Sequence, residues 1–259
     1  FNKLFKNTKN LNNFNLSFNN LRKNFNSEKI FNSISKYSKN SEARYVGGCV
    51  RKILNSEEVD DIDLATNLNP KEITNVLVKN NINFFDSGID HGTITAILNH
   101  NSFEITSLRK DVSTDGRHAE VEFSDSWIED STRRDFTINS IYADIDGNLF
   151  DPHNGKKDLE EGVVKFIGEP EKRIKEDYLR ILRYVRFYLN YSKHNHETEV
   201  KRIIKQNLAG IKIISKERLL VELKKLVLSN GFLKLNDDPF CLEIIMLIFP
   251  ELKNLNLFK

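Results

Sequence analysis

The sequence predicts an α+β fold, with a mixed β-sheet and interspersed helices to about residue 168 and an all-helical segment after it. Two observations carry this. Short strand-like apolar runs alternate with amphipathic stretches before Gly168, and beyond it apolar residues recur only at the helical period. The 259 residues, 39% hydrophobic and 29% charged, have the balance of a globular chain of one large or two small domains. The most apolar run, Phe240 to Phe249, is ten residues long and contains Glu243, too short to cross a bilayer. Only Cys49 and Cys241 are present, which argues against a disulfide framework and a Cys-based zinc site. A reducing compartment fits, and the cytoplasm is the expected one.

Residues 1–27 read as a separate piece, with ten Asn, five Phe, five Lys or Arg and no acid. Two readings compete: a biased, poorly ordered extension, or an organelle-targeting segment. Transit peptides favour Arg and Ser, and this stretch has one Arg and two Ser, so the extension is the expectation. From Ser27, a helix cap, apolar residues Ile30, Phe31, Ile34 and Tyr37 follow the helical period. A strand over residues 44–46, a Gly47-Gly48 turn and a short helix follow, then a strand over 62–64. Asn69-Pro70 starts a helix with proline at its first position. Strand-like runs occupy 82–85, 93–98, 103–106, 121–123 and 140–145, with a polar loop over 109–118 and a hairpin signal at Asp146-Gly147. Residues 171–189 carry apolar side chains at helical spacing and predict one long helix; further helices are expected at 197–208, 215–228 and 239–248. The expected domains are therefore 28–168 and 169–259. The chain starts at Phe1 and its last residues close no element, so a longer parent protein is expected.

A net charge of +2 conceals an asymmetry: residues 56–163 carry −14, whereas residues 1–55 and 170–234 each carry +9. An acidic middle followed by a basic segment suits a metal or catalytic region beside a polyanion-binding surface. Solvated lysine-rich helices would give the same numbers.

The candidate chemistry lies in five segments. Gly47-Gly48-Cys49-Val50-Arg51 joins a strand to a helix, where glycines admit a ligand to the backbone and free N–H groups and Arg51 suit phosphate. In Asp60-Asp61-Ile62-Asp63, the carboxylates at 61 and 63, two apart, share one face of a strand and repel unless a cation joins them, as a Mg²⁺ site requires. Asp60 points away and is expected to be solvated. Glu104, between apolar neighbours on a strand, is either a third acid or an ordinary exposed residue. Arg133-Arg134-Asp135-Phe136-Thr137-Ile138-Asn139 offers guanidinium forks for phosphate or ribose, with Asp135 placed to orient an arginine and Asn139 to bond local backbone. Asp177, Arg180 and Arg183, spaced by three, roughly share a helix face, with Arg186 the next step round. That series either reads a base edge or makes surface ion pairs.

In this order, the segments Tyr45–Arg51, Asp61–Thr66, Arg133–Asn139, Asp151–Gly155 with Asp158-Leu159, and Glu176–Arg180 continuing to Arg183 and Arg186 resemble the class II tRNA nucleotidyltransferases (CCA-adding enzymes) and their poly(A) polymerase relatives. The stretches around His91-Gly92-Thr93 and Asp115-Gly116-Arg117-His118 are more similar to bacterial CCA-adding enzymes than to poly(A) polymerases. The resemblance implies a nucleotidyltransferase head, then a helical neck and the start of a body, with the rest of body and tail beyond this chain. It implies that Asp61 and Asp63 hold Mg²⁺, that Gly48 and Arg51 contact the triphosphate and Arg134 the nucleotide, and that Asp177, Arg180, Arg183 and Arg186 select CTP and then ATP. Two departures stand out: Lys52 where the family usually has Asp, and Ser140 in place of a usual alanine. The implied partners are CTP, ATP and the 3′ end and acceptor stem of tRNA. The expected activity is Mg-dependent addition of C and/or A; a poly(A) polymerase or a catalytically silent RNA-binding module are the alternatives.

Overall fold

A computed structural model describes residues 17–88, 92–114 and 119–252, without the side chains of Ser87, 111–114, 119 and 120. These fall into two compact units: residues up to Lys110 together with Val121–Lys156, and Asp111–Glu120 together with the chain from Lys157 onward.

The first unit is built on a seven-stranded mixed sheet. Its strands are β1 (Ala43–Val46), β2 (Ile62–Thr66), β3 (Asn83–Gly88), β4 (Thr93–Leu98), β5 (Asn101–Ser107), β8 (Tyr142–Ala143) and β9 (Leu149–Phe150). They lie in the order β3-β4-β5-β2-β1-β8-β9. The β2–β5 pair is parallel and aligns Asp63 with Glu104; the other pairs are antiparallel. The pleat sorts each strand onto two faces. Ile62 and Leu64 of β2 and Phe103 and Ile105 of β5 enter one hydrophobic core. Four helices contribute to that core: α1 (17–25), α2 (Glu28–Ser35), α3 (Gly48–Leu54) and α4 (Pro70–Lys79). Val46, Ala65, Leu108 and Tyr142 form a second cluster, against which Trp127 and Phe150 pack. Asp63 and Glu104 are pleated away from the first core.

Local chemistry explains the boundaries. Asn69 accepts from the backbone N–H of Glu72 while the Glu72 side chain accepts from that of Asn69, and Pro70 occupies the first turn. In the hairpin between β8 and β9, the Asp144 carboxylate accepts from the N–H groups of Asp146 and Asn148 at 2.9 Å each.

Several expectations need correction. The poor order expected for 1–27 does not hold over 17–25, which are helical with Phe18 and Leu21 buried, because the five phenylalanines include one that finds a core; residues 1–16 lie outside the described residues. Ser27 is not a side-chain cap: its hydroxyl is 2.5 Å from that of buried Tyr45. Residues 109–114 of the expected polar loop over 109–118 are instead a strand, β6 (Arg109–Thr114), which pairs with β7 (Ala119–Phe123); residues 115–118 lie outside the described residues, as does His91. The expected 140–145 strand shrinks to β8, preceded by a 3₁₀ turn over Thr137–Asn139.

The second unit contains α7 (Pro170–Glu176), α8 (Leu179–Tyr191), α9 (Thr198–Asn207), α10 (Lys216–Val227) and α11 (Pro239–Ile248). Helix α5 (Trp127–Thr132) belongs to the first unit, and α6 (Gly155–Glu161) spans the boundary in the chain. Ser215 caps α10 as expected, accepting from Arg218 N–H. The single long helix over 171–189 is broken: Asp177 is extended (φ −155°, ψ 105°), and its carboxylate accepts from the Leu179 N–H at 3.1 Å. An aspartate able to cap the next helix competes with helix continuation, which apolar spacing does not register.

Phe18 is fully buried and its ring lies 5.8 Å from that of Tyr45. Phe18→Ala is expected to cost about 3–5 kcal/mol of unfolding free energy. A denaturant midpoint equal to that of the parent would show that α1 is not part of the folded core.

Candidate active site

The parallel register puts the Asp63 and Glu104 backbones side by side on adjacent strands, and Asp61 stands exposed just before β2. Burial pushes the Asp63 carboxyl up to about 6; the Glu104 and Asp61 charges add to this, and Arg134 and Arg51 oppose it. Asp63 on β2 therefore feels the charges of Glu104 beside it on β5, of Asp61 just before the strand and of two guanidinium groups; Asp61 does not lie in the strand as expected.

The strand-to-helix turn faces the same carboxylate. Gly47 has φ +68°, which L side chains rarely adopt. A β-carbon on Gly47 or on Gly48 would lie 3.7 Å from Oδ2 of Asp63, and one on Gly47 also 3.7 Å from Nη1 of Arg134. The first turn of α3 thus opens beside Asp63. Cys49 turns the other way: its buried thiol donates to Val46 O and Asp63 O, and burial raises it to about 12, too high for a nucleophile.

Each arginine is oriented by a partner that the sequence pattern did not identify. Arg51, buried on α3, donates to Oδ1 of Asn139, whose Nδ2 donates to Oδ1 of Asp135 at 2.9 Å. Asp135 thus steadies an asparagine, and Asn139 bonds a distant side chain rather than local backbone. Arg134 is held by Asp130, 1% exposed, through Nε at 3.2 Å and Nη2 at 3.0 Å; Arg133 donates to the other oxygen of the same carboxylate. The Tyr142 hydroxyl donates to Asp130 at 2.6 Å and accepts from Arg134 Nε at 3.0 Å. Burial works to raise the Asp130 carboxyl, but Arg134, Arg133 and Tyr142 together hold it well below the usual range. A lone acid after a serine cap carries no motif, so only its burial reveals Asp130.

Two further expectations change. Asp60 is not merely solvated: it pairs with Lys52, the residue that departs from the family pattern, and this bond lowers its carboxyl. Gly155 of the Asp151–Gly155 segment is structural. A β-carbon there would meet the Thr137 carbonyl oxygen at 2.0 Å, so only glycine lets α6 start against the arginine segment.

The second-unit candidates are all engaged. Asp177 accepts from Arg218 Nη2 at 2.8 Å. Arg180, buried, donates to Glu176 Oε2 and to the Arg173 carbonyl, both at 2.7 Å. Arg186 and, at 3.7 Å, Arg183 share Glu222, which is 2% exposed. Because the helix breaks at Asp177, that residue precedes the α8 face carrying the arginines instead of lying on it.

Residues 43–165 match the poly A polymerase head domain. The chain belongs to the family of CCA-adding enzymes and poly(A) polymerases. It is 47% identical over 194 residues to the human mitochondrial CCA tRNA nucleotidyltransferase 1, a match covering 74% of this chain and 45% of that one. It is 38% identical to a Lactobacillus helveticus CCA-adding enzyme over 71% of this chain and 46% of the other. The fold is similar to that of the Bacillus stearothermophilus CCA-adding enzyme solved with CTP, with TM-score 0.71, 29% identity, and coverage of 85% of this chain and 51% of that one. The chain thus spans about half the length of these relatives. Among the described residues, no helix is long and apolar enough to cross a membrane.

Two outcomes follow from the charges. Asp63 has a raised folded pKa, so its ionisation weakens the metal-free fold as pH rises from about 4 through about 6, and above that the full penalty applies. Asp63→Asn is expected to stabilise the metal-free protein by about 1–3 kcal/mol at pH 7 and to change little at pH 4; thermal melts at both values check this, and a loss of stability at pH 7 would contradict the cost of burying this charge beside other acids. Asp130→Asn, by contrast, strips a buried carboxylate from two arginines and is expected to cost about 3–5 kcal/mol, read by denaturant unfolding.

Proposed function

We propose that the first unit transfers nucleotides from CTP and ATP to the 3′ end of tRNA with release of pyrophosphate. The observation that supports this most is the β2–β5 register, which sets Asp63 beside Glu104 next to the Gly47-Gly48 turn and within the influence of Arg51 and Arg134. Asp61 and Asp63 hold Mg²⁺ in this reading. Carboxylate oxygens with no sulfur or nitrogen donor are the hard set that this ion prefers, and the mutual repulsion of the acids is what a cation relieves. When bound, the ion supplies charge neutralisation at the triphosphate and activation of the attacking hydroxyl. Glu104 is the third acid of the site, adding negative potential that draws a cation. The first turn of α3 around Gly48 presents backbone N–H groups to phosphate, Arg51 adds a fixed charge there, and Arg134 contacts the nucleotide. The rigid supports described above keep both guanidinium groups aimed before substrate arrives.

In the second unit, Asp177, Arg180, Arg183 and Arg186 are proposed to select the base. A carboxylate that accepts and a guanidinium that donates match the mixed edges of cytosine and adenine, and present the wrong partner to uracil and guanine. To do so, Asp177 exchanges Arg218 for a base amino group, and the arginines leave part of their hold on Glu176 and Glu222. The bacterial structural relative was solved with CTP, which supports the nucleotide assignment. The name of the human relative, a CCA tRNA nucleotidyltransferase, supports tRNA as the acceptor. The family model carries the poly A polymerase name, which keeps long A-tail synthesis as the second reading. The compartment is proposed to be the cytoplasm; the mitochondrial name of the human relative makes fractionation of tagged protein the deciding measurement.

Incubation with tRNA lacking its 3′ CCA and single nucleotides tests the proposal. One or two C and one A are expected; a long A tail supports the second reading, and no extension beside normal tRNA binding points to a silent binding module. Asp61→Ala and Asp63→Ala are expected to reduce incorporation to background while leaving tRNA binding intact. Asp177→Ala is expected to relax discrimination against UTP and GTP by about 1–3 kcal/mol, since it removes one mismatched, partly buried charge. Unchanged selectivity would remove Asp177 from base reading. tRNA affinity is expected to fall steeply with salt between about 50 and 200 mM through counterion release.

A further inference from the structure

His196, Asp238 and Cys241 meet where α11 begins, and nucleotide transfer as proposed above uses none of them. Nε2 of His196 lies 3.0 and 3.2 Å from the two Asp238 oxygens and 3.6 Å from Sγ of Cys241. One donor atom from each residue falls within 4.8 Å of the others. For a tetrahedral ion with Zn–S of about 2.3 Å and Zn–N of about 2.0–2.1 Å, nitrogen and sulfur stand about 3.6 Å apart. The observed separation, within hydrogen-bond range of sulfur, also matches that of two ligands on one ion.

The surroundings fix the imidazole in the same sense. The Tyr184 hydroxyl lies 3.0 Å from Nδ1, Tyr188 stacks on the ring with centroids 3.5 Å apart, and Phe240 meets it edge-on at 4.7 Å. A metal-bound Nε2 with its Nδ1–H donated to a neighbouring oxygen is the usual support for a histidine ligand. The Cys241 N–H takes Oδ1 of Asp238 at 2.8 Å, which leaves Oδ2 for an ion. Cys241 is fully buried and the His196 side chain 7% exposed, so the donors are largely shielded from water.

We propose that His196, Asp238 and Cys241 form a Zn²⁺ site, with water in the fourth position. One thiolate and one carboxylate cancel the charge of the ion, so the buried group is neutral overall. A sulfur, a nitrogen and a single carboxylate select zinc over Mg²⁺ or Ca²⁺, which take oxygen sets. On binding, the thiol proton passes to solvent and the imidazole proton resides on Nδ1, donated to Tyr184. The scarcity of cysteine argued against a zinc site in the sequence; the fold supplies one by adding two non-cysteine donors. The ion would staple the segment after α8, which carries His196, to the start of α11.

The test uses the full chain freed of metal by chelator and titrated with Co²⁺, then Zn²⁺. One equivalent of Co²⁺ is expected to produce a thiolate-to-cobalt charge-transfer band that Zn²⁺ abolishes and excess Mg²⁺ does not. Zn²⁺ is expected to raise the melting temperature by several degrees. Cys241→Ser should remove the band, Cys49→Ser should keep it, and His196→Ala should weaken binding at least tenfold. Zinc-edge X-ray absorption of the parent protein, expected to show one sulfur in the shell, decides the matter if a variant fails to fold. An all-oxygen shell, absence of the band, or a band that survives Cys241→Ser would overturn the site. Because tRNA extension depends on other residues, its success or failure does not bear on these outcomes.

Discussion

The first unit depends on one constraint: two parallel strands, β2 and β5, hold aspartate and glutamate at the same level on one face. Parallel pairing fixes the level, and the pleat fixes the face, because Ile62, Leu64, Phe103 and Ile105 occupy the opposite side in the core. A slip of one residue would bury the acids and expose four large apolar side chains. The hydrophobic core therefore enforces a repulsion that the chain would otherwise avoid. Burial first, and the neighbouring charges of Glu104 and Asp61 second, push the Asp63 carboxyl up. Functional sites store unfavourable interactions of this kind when the surrounding packing is strong enough to hold them.

The arginines beside these acids are not left to find them. Arg51 is held by Asn139, itself held by Asp135, and Arg134 by Asp130 and Tyr142, so each cation is restrained by a mostly buried polar group. Asp130 carries two guanidinium groups and a phenol at once. Removing such a group leaves charges buried without their partner, which is why the structure tolerates so costly an arrangement only as a complete set.

Much of this was legible in the sequence. The Gly47-Gly48 turn, the strand carrying Asp63, the Asn69-Pro70 helix start and the Asp146-Gly147 hairpin each follow from short-range chemistry, and the structure places them as expected. The acids at 61 and 63 stood out by their spacing, but Asp61 lies just before β2, so the shared strand face expected from that spacing holds for Asp63 alone. What escaped was long-range or competitive. Asp130 and Glu222 sit among many similar acids, and only three-dimensional burial separates them from solvated ones. The α1 residues were hidden inside a biased segment, where Phe18 counts for more than the surrounding asparagines. The break at Asp177 was masked by apolar periodicity that continues across it, because periodicity reports which face is buried and not whether the backbone turns continuously.

That break changes how the base-reading proposal works physically. Had Asp177 lain within one helix with Arg180, the two would have been neighbours one turn apart and natural partners for each other. Instead, Asp177 accepts from the Leu179 N–H with one oxygen and from Arg218 of α10 with the other, while Arg180 turns to Glu176 and the Arg173 carbonyl. Glu222, also on α10, takes Arg183 and Arg186. Helix α10 thus holds the α8 segment at both ends of the arginine series, through a cation at one end and a buried anion at the other. In the proposed base reading, a nucleotide base that engages this series would compete with partners already in place, so selection would rest on exchange between matched hydrogen-bond sets. A base with the wrong edge leaves the existing pairs undisturbed and gains nothing by entering, a stricter filter than an open cleft of the same composition would provide.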